Sequence, residues 1–164
     1  MDVDSILQAT YHWPISEAIR VDYFWFPFFE SIHVIAITMV VGSIFIVDLR
    51  LMGITSHKKP VTELAKEVLP WTWGLFALAV FTGTMMFISK APNYYADDYF
   101  RYKMLFILLA GLNMAVFHLL TFKSVTHWDR DVPTLLGAKL AGSLSMFCWI
   151  VVVFCGRWIG FTVI

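Results

Sequence analysis

Four long apolar stretches constrain this chain more than any other feature of its sequence. Each of them reaches the roughly 20 residues that a helix needs to cross a bilayer. They cover about 24–47, 70–89, 100–122 and 135–162. The alternating pattern of strands is absent, and only helices and closed barrels satisfy their backbone hydrogen bonds inside lipid. The sequence therefore predicts an all-α fold, a four-helix transmembrane bundle.

The composition agrees with a membrane protein. Apolar residues make up 59% of the 164 residues and charged residues 15%, against roughly 45–50% and 25% in soluble domains. The net charge is zero, which gives no basic surface for nucleic acid. We expect a single membrane domain over 1–164, in contact with membrane lipid.

The first 22 residues are predicted to form short interfacial helices. Apolar residues recur there at helical spacing, at Val3, Ile6, Leu7 and Tyr11. Pro14 marks a second helix start, since proline is favoured in the first helical turn. The aromatic run "YFWFPFF" that follows is typical of the belt at a membrane interface.

Lysine and arginine near the ends of the spans predict the orientation of the bundle. The first and third connections and their flanks hold seven of these cations, Arg50, Lys58, Lys59, Lys66, Lys123, Arg130 and Lys139. The opposite side holds five, Arg20, Lys90, Arg101, Lys103 and Arg157. Because cytoplasmic loops carry the excess of positive charge, we expect both connections in the cytoplasm and both termini in the periplasm.

Glu30 and His33 place two ionisable groups near the start of the first span. They share a helix face, and His33 lies about 13 Å below Phe24, well inside the hydrocarbon. Ionisable groups are costly at that depth and mark functional sites. One interpretation is a neutral core histidine that is hydrogen-bonded to a neighbouring helix. The sharper hypothesis is that His33 is the axial ligand of haem b iron.

Three cations lie near the depth that the propionates of such a haem would reach. They are Arg101 and Lys103 on the third span and Arg157 near the end of the fourth. Their charge-assisted hydrogen bonds would satisfy buried carboxylates, and the alternative for each is a cation that snorkels to the interface. His118 lies some 22 Å below Lys103 by helix rise, so it is not expected to bind the same haem.

Two further roles near His33 stay open. Met85 or Met86 on the second span can be the sixth iron ligand or an ordinary packing residue. Otherwise the haem is five-coordinate, or a lysine, a substrate or another subunit supplies the sixth ligand. Glu30 is a candidate for proton handling beside a redox centre or a solvated interfacial acid.

A second candidate site lies at the far end of the bundle. Asp48, at the end of the first span, is predicted to pair with His118 or an arginine across the bundle, or to form a helix-end ion pair. A second haem on His118 would need His57 or His127, both in connections, as its other ligand.

Two stretches of the sequence resemble known membrane proteins. "ESIHVIAITMVVGSIFIVDLRLMG" and "YYADDYFRYKMLFILLAGLNMAVFH" resemble the first helix and the third-helix region of an uncharacterised family of small four-helix bacterial inner-membrane proteins. More distantly, the chain is similar to HemJ-type membrane protoporphyrinogen oxidases and to the CopD copper-resistance membrane domain, which also open a helix with a histidine before small and apolar residues. The HemJ resemblance implies a haem b ligand at His33 and an important lysine at Lys103.

The leading interpretation is an integral haem b protein of the bacterial inner membrane, with one haem per protomer. It would transfer electrons, or serve a membrane oxidoreductase as a subunit, with the quinone pool or a periplasmic protein as partner. One alternative is a CopD-like copper-handling or transport protein that uses His33, Glu30 and Met85 or Met86, since methionine and histidine suit copper(I). Another is an accessory membrane subunit without a cofactor. Small residues along the spans allow close helix approach, so a homo-oligomer is also expected.

Overall fold

Four long helices form the body of the protein. The computed structural model describes residues 2–55, 59–129 and 133–163, without the side chains of Ser124, Thr126 and His127. The α-helices are α1 (Val3–Tyr11), α2 (Pro14–Val21), α3 (Trp25–Leu51), α4 (Val61–Ser89), α5 (Ala91–Ala96), α6 (Asp98–Val116) and α7 (Leu136–Thr162). A π-helical turn, Phe117–Thr121, and a 3-10 turn, Phe122–His127, continue from α6.

The predicted all-α fold is confirmed. Helices α3, α4, α6 with its π-helical turn, and α7 are each long and apolar enough to cross a membrane. The described residues contain helices and connections and no strand. The chain therefore has the architecture of a multi-pass membrane protein, and the two short helices α1 and α2 lie where the sequence predicts them.

The four spans pack in the order α4, α3, α7, α6. Helix α3 packs along α4 on one side and against α7 on another, and α7 packs along α6. Of the neighbouring spans, helices α4 and α6 approach each other least, although Phe87 of α4 stacks on Phe100 of α6 near the upper end, with ring centres 5.3 Å apart. One buried cluster, Val40, Ala110, Cys148, Trp149 and Val152, fills the middle of the bundle. The seam between α4 and α6 is therefore the least closed side of the bundle.

The short helices lie over the end of the bundle at which α3 begins, called here the upper end. Arg20 of α2 donates to the carbonyl of Tyr11, at 3.1 Å, and to that of Ser89, at 2.9 Å. Its guanidinium also lies 3.8 Å from the centre of the Tyr11 ring. Arg20 thus joins α1, α2 and the last turn of α4, because its donors satisfy carbonyls at two helix ends.

Arg50 organises the lower end, at which α3 terminates. Its side chain is almost fully buried and donates to the carbonyls of Lys59 and Asp129, each at 3.0 Å, and to Thr134 Oγ1 at 3.4 Å. The Asp129 carboxylate accepts from the backbone N–H of Thr62, at 2.9 Å, and from its hydroxyl, at 2.7 Å. Asp129 therefore caps the start of α4, and Arg50 ties the α3–α4 and α6–α7 connections together.

Two boundaries differ from the sequence-based expectation. Helix α3 continues past 47 to Leu51, so Asp48 and Arg50 lie inside the bundle instead of at its surface. Helix α4 begins at Val61, nine residues before the expected start at 70. Its first turns carry charged residues, but Val61 and Leu64 are buried against the bundle. Hydropathy marks the apolar part of a helix, whereas packing and the Asp129 cap set where this one begins.

Candidate functional site

The imidazole of His33 is held against α4 through one of its ring nitrogens. Nδ1 lies 2.9 Å from the carbonyl oxygen of Ala79 and 3.0 Å from Thr82 Oγ1. Because a carbonyl oxygen only accepts, Nδ1 must carry the proton and donate it to Ala79. In the neutral ring Nε2 then holds the lone pair. The contact on α4 thus fixes both the orientation and the tautomer of the ring.

The other ring nitrogen of His33 has no partner. Nε2 is fully buried and makes no hydrogen bond to any described residue. Within the described part of the chain, the only other buried side-chain polar atom without a hydrogen-bond partner is Oδ2 of Asp48. Histidines that bind metals characteristically donate their second ring N–H to a backbone carbonyl or a carboxylate. His33 therefore has the hydrogen-bonding pattern of a metal-binding histidine.

Gly83 provides the space in which the His33 ring lies against α4. A Cβ at this position would lie 3.1 Å from Cε1 of His33 and 3.4 Å from Nδ1. An alanine here would therefore require the ring to shift by a few tenths of an ångström. Sequence reasoning treated Gly83 only as a packing residue. Its spacing from Ala79 and Thr82, which puts the three on one side of α4, is the signal that relates it to His33.

Lys103 of α6 lies near His33 inside the bundle. Its ammonium group interacts electrostatically with the His33 ring and with Cys155 of α7. A Cβ at Gly156 would lie 3.7 Å from Nζ of Lys103, so this glycine leaves room for the lysine side chain. The position agrees with the depth comparison that placed Lys103 at the level of His33.

The structure does not bring Arg101 or Arg157 to His33. Arg101 is exposed, donates to the carbonyl of Tyr95 at 3.0 Å and pairs with Asp98 at 3.3 Å. Arg157 is exposed, and its guanidinium lies 4.5 Å from the centre of the Phe161 ring. The depth of a residue does not determine whether it lies on the inner or the outer face of its helix. Of the three candidate cations, only Lys103 lies on an inner face.

Glu30 interacts electrostatically with a residue of α5. Its side chain is exposed and interacts electrostatically with Tyr94, which is 8% exposed. Burial raises the pKa of Tyr94 to about 12, with smaller contributions from the negative charges of Glu30 and Asp97. The proton-handling role of Glu30 stays a prediction, and the structure adds an electrostatic interaction with Tyr94 of α5.

Helix geometry separates the two methionines that were candidates for a sixth ligand. Met86 follows Ala79, Thr82 and Gly83 on the side of α4 that faces His33, whereas Met85 is rotated by about 100°. Both side chains are half-buried. Among the described residues there is no group of three His, Cys, Asp or Glu side chains that could hold a metal ion. Of the two methionines, Met86 is therefore the better placed to act as a ligand beside His33. A metal ion without a haem would find few protein ligands here.

Asp48 and His118 both line a cavity of about 460 Å³ between the four spans, called here the lower cavity. They do not form the predicted pair. Asp48 interacts with the hydroxyl of Ser145, while Nδ1 of His118 lies 2.9 Å from the carbonyl of Met114 on its own helix. Neither of the ion pairs among the described residues includes Asp48, so the predicted pair with an arginine across the bundle is not formed there either.

The proposed partners of His118 in a second haem site cannot be placed. His57 and the side chain of His127 lie outside the described residues. His118 itself is exposed, and its ring packs against Phe117 and Phe122, with ring centres 5.5 and 5.2 Å away. The second haem therefore stays a prediction.

Comparisons with known proteins identify a family but no activity. No curated protein and no solved structure matches the chain. The resemblance to HemJ-type and CopD proteins is therefore not shown, and the site described above carries the functional argument by itself. One family model covers residues 21–162, from the end of α2 to the end of α7. The chain belongs to that family, described as "Family of unknown function (DUF6644)".

Proposed function

We propose that this chain is an integral membrane haem b protein that carries electrons, with Nε2 of His33 as the axial ligand of the iron. The observation that carries the proposal is the buried lone pair of Nε2, which has no hydrogen-bond donor among the described residues. Leaving such a group unsatisfied costs about 1–3 kcal/mol. A metal ligated by Nε2 would remove that cost, and the Ala79 contact already supplies the second hydrogen bond that metal-binding histidines use.

The surroundings of His33 suit a haem in charge and polarity. Lys103 would supply a half-buried cation for a propionate, and the apolar side chains of the bundle would exclude water. The lower cavity does not include His33, because its first lining residue on α3 is Val40, about 10 Å further down. A haem would therefore reach His33 by a route other than the lower cavity. The seam between α4 and α6 is the less closely packed side of the bundle. Haem supplies one-electron chemistry when bound.

The sequence also supports a proposal for the cofactor content, oligomeric state and location of the protein. We infer one haem per protomer, a homo-oligomeric protein of the bacterial inner membrane, and both termini on the periplasmic side. A membrane quinone or a periplasmic protein would exchange electrons with the haem. Any enzymatic activity would then be that of a haem-dependent membrane oxidoreductase.

Copper handling is a second candidate, favoured by the position of Met86 on the side of α4 that faces His33. Imidazole and thioether ligands suit copper(I). Glu30 supports this candidate less, because its side chain is exposed and interacts with Tyr94. The copper site would thus rest on His33 and Met86, which is fewer ligands than a stable site normally has.

One absorption spectrum separates these functions. The protein is expressed with ample haem supply, purified in mild detergent, and measured before and after dithionite; metals are determined by elemental analysis. We expect a Soret band that shifts on reduction in the native protein and in His12→Ala, and its loss in His33→Ala. His12 is the matched control because it is an exposed histidine at the end of α1.

Three results would contradict the proposal. A colourless native protein with copper would favour copper handling, and one without any metal would favour an accessory subunit. Normal haem occupancy in a folded His33→Ala variant would show that another residue binds the iron.

A further inference from the structure

The lower cavity is a second place in the bundle where a small molecule can bind. Its volume of about 460 Å³ falls within the roughly 300–1,000 Å³ that is usual for small-molecule sites. Helices α3, α4, α6 and α7 all contribute to its wall. Aromatic side chains line it, including Trp73, Phe76 and Trp149. The cavity thus offers an apolar, aromatic environment of the size of one ring system.

Asp48 supplies the polar group of this cavity. The residue is only 4% exposed, and its carboxyl group lies in the cavity wall. The hydroxyl of Ser145 interacts with the carboxyl group, while Oδ2 has no partner among the described residues. A buried carboxyl oxygen without a partner is costly and is satisfied by a ligand in many binding sites. The occupant should therefore form a hydrogen bond with Asp48.

The chemistry of a carboxyl group narrows the class of occupant. An ionised Asp48 needs a hydrogen-bond donor, whereas a protonated Asp48 donates a hydrogen bond and needs an acceptor. A quinol hydroxyl meets the first need and a quinone carbonyl meets the second. A simple alkyl chain meets neither. A ring of this kind also packs well against Trp73 and Trp149, since aromatic rings prefer stacked or edge-to-face neighbours.

The bundle gives such a molecule a route from the lipid. Helices α4 and α6 make little direct contact, and both contribute to the cavity wall. Leu108 and Leu112 of α6 line the cavity and are more than half exposed, at 60% and 54%. A lipid-soluble ligand can therefore enter sideways between α4 and α6, without passing through water.

We propose that the lower cavity binds the head group of a membrane quinone, with Asp48 hydrogen-bonded to one of the oxygens on the quinone ring. The cavity begins about 10 Å below His33 along α3, so the two sites are separate. The inference rests on the cavity and Asp48 alone. It stands if the protein proves to contain no haem, and it can fail while His33 still binds one.

Quenching of tryptophan fluorescence by decylubiquinone tests the proposal, because Trp73 and Trp149 lie in the cavity wall. The full chain in mild detergent is titrated, and non-specific quenching is subtracted with free tryptophan in the same micelles. Gly111→Leu should obstruct the cavity at its exposed edge on α6, since Gly111 lines it and has free space around an added Cβ. Gly74→Leu is the matched control, because it adds the same volume at an exposed position with equally free space outside the cavity.

We expect saturable quenching in the native protein and in Gly74→Leu, and a loss of affinity of about tenfold or more in Gly111→Leu and in Asp48→Leu. Size-exclusion chromatography and thermal unfolding confirm that each variant is folded. Asp48→Ala, which also removes the carboxyl group, replaces Asp48→Leu if that variant does not fold, and its affinity should also fall. Equal affinity in Gly111→Leu and Gly74→Leu would overturn the proposal. So would full recovery of the tryptophan fluorescence when decane is added at the same concentration as the quinone, since the cavity would then bind any alkyl chain.

Discussion

The Nδ1 atom of His33 lies 2.9 Å from the carbonyl oxygen of Ala79, and this contact determines what the rest of the ring can do. It joins α3 to α4 in the middle of two spans. It also assigns the proton to Nδ1 and leaves Nε2 as an acceptor, buried and without a partner. Since the acceptor at Ala79 is a backbone atom, no side-chain substitution there removes it, and predictions must address the neighbours of the ring.

Thr82→Val tests the role of the second contact on Nδ1. The substitution keeps the shape of the side chain and removes the hydroxyl that lies 3.0 Å from Nδ1. Partners of this kind orient metal-binding histidines, so we expect haem affinity to fall about tenfold while the fold is retained. Haem titration of the apoprotein, followed at the Soret band, measures the change. Thr84→Val is the control, because Thr84 is exposed and bonds only within its own helix, to Val80. Equal affinities in the two variants would remove Thr82 from the site.

Lys103→Met tests the half-buried cation near His33. A positive charge favours the reduced form of a haem, so its removal should lower the midpoint potential. The change amounts to about 1–2 kcal/mol at an effective dielectric constant near 20, which is roughly 40–90 mV for one electron. A spectroscopic redox titration measures it. Arg157→Met is the control, since Arg157 is exposed and lies over Phe161. A larger shift in the control than in Lys103→Met would contradict the placement.

Hydropathy and helix rise predict the fold and the depth of the site, but not which faces of the helices meet. The four spans, the burial of His33 and the level of Thr82 and Lys103 all follow from counting along the sequence. Arg101 has a suitable depth too, yet it is exposed and bonds to Tyr95 and Asp98, because packing partners decide which side of a helix faces the interior. The free Nε2 depends on a backbone carbonyl, which no residue type in the sequence reveals.

Arg50 shows the same limit at the lower end. From the sequence, Arg50 is expected at the membrane surface, among the cations that set the orientation. The structure buries it and uses its donors on Lys59, Asp129 and Thr134. Those acceptors come from two connections that are distant in the sequence, so local pattern contains no signal for them.

Arg50→Met should destabilise the lower end strongly. The methionine fills much of the same volume but leaves the carbonyl of Lys59 and the hydroxyl of Thr134 without this donor. Hydrogen bonds from a charged group contribute about 1.5–3 kcal/mol each, and Arg50 makes three of them, so we expect a loss of at least about 4 kcal/mol in the free energy of unfolding. Thermal unfolding in detergent measures it. Lys66→Met is the control, a cation near the start of α4 that is exposed. Similar losses in both variants would mean that the network contributes little.

Gly142→Ala tests the close packing of α7 on α3 beside Asp48. The new Cβ would lie 2.9 Å from the backbone oxygen of Asp48, a distance that forces the helices apart. Overpacking of this kind costs about 1–3 kcal/mol. Gly74→Ala, at a helix position where nothing lies within 4 Å, should instead be neutral or stabilising by about 0.5–1 kcal/mol. Thermal unfolding of both variants decides the matter, and a stabilised Gly142→Ala would show that α3 and α7 are packed less closely than described.

Tyr94 predicts how stability depends on alkaline pH. Burial, with the charges of Glu30 and Asp97, raises its pKa from 10.0 to about 12 in the folded protein. Below pH 10 the phenol is neutral in both states, and its full contribution to stability is present. Between pH 10 and about 12 the unfolded chain loses this proton while the folded protein keeps it, so stability falls as pH rises. A pKa shift of this size corresponds to a loss of about 2–3 kcal/mol in the free energy of unfolding over that pH range.

Two substitutions isolate this contribution. In Tyr94→Phe the fall of the melting temperature between pH 9 and pH 11.5 should be smaller than in the native protein. Glu30→Gln should lower the pKa of Tyr94, because it removes a negative charge that opposes ionisation, and a pH titration of tyrosinate absorbance measures this shift. Tyr23→Phe is the control for the melting experiment, since Tyr23 is 92% exposed. If the melting temperature of Tyr94→Phe falls as much as that of the native protein, other groups cause the fall. An unchanged pKa of Tyr94 in Glu30→Gln would show that Glu30 does not interact with Tyr94.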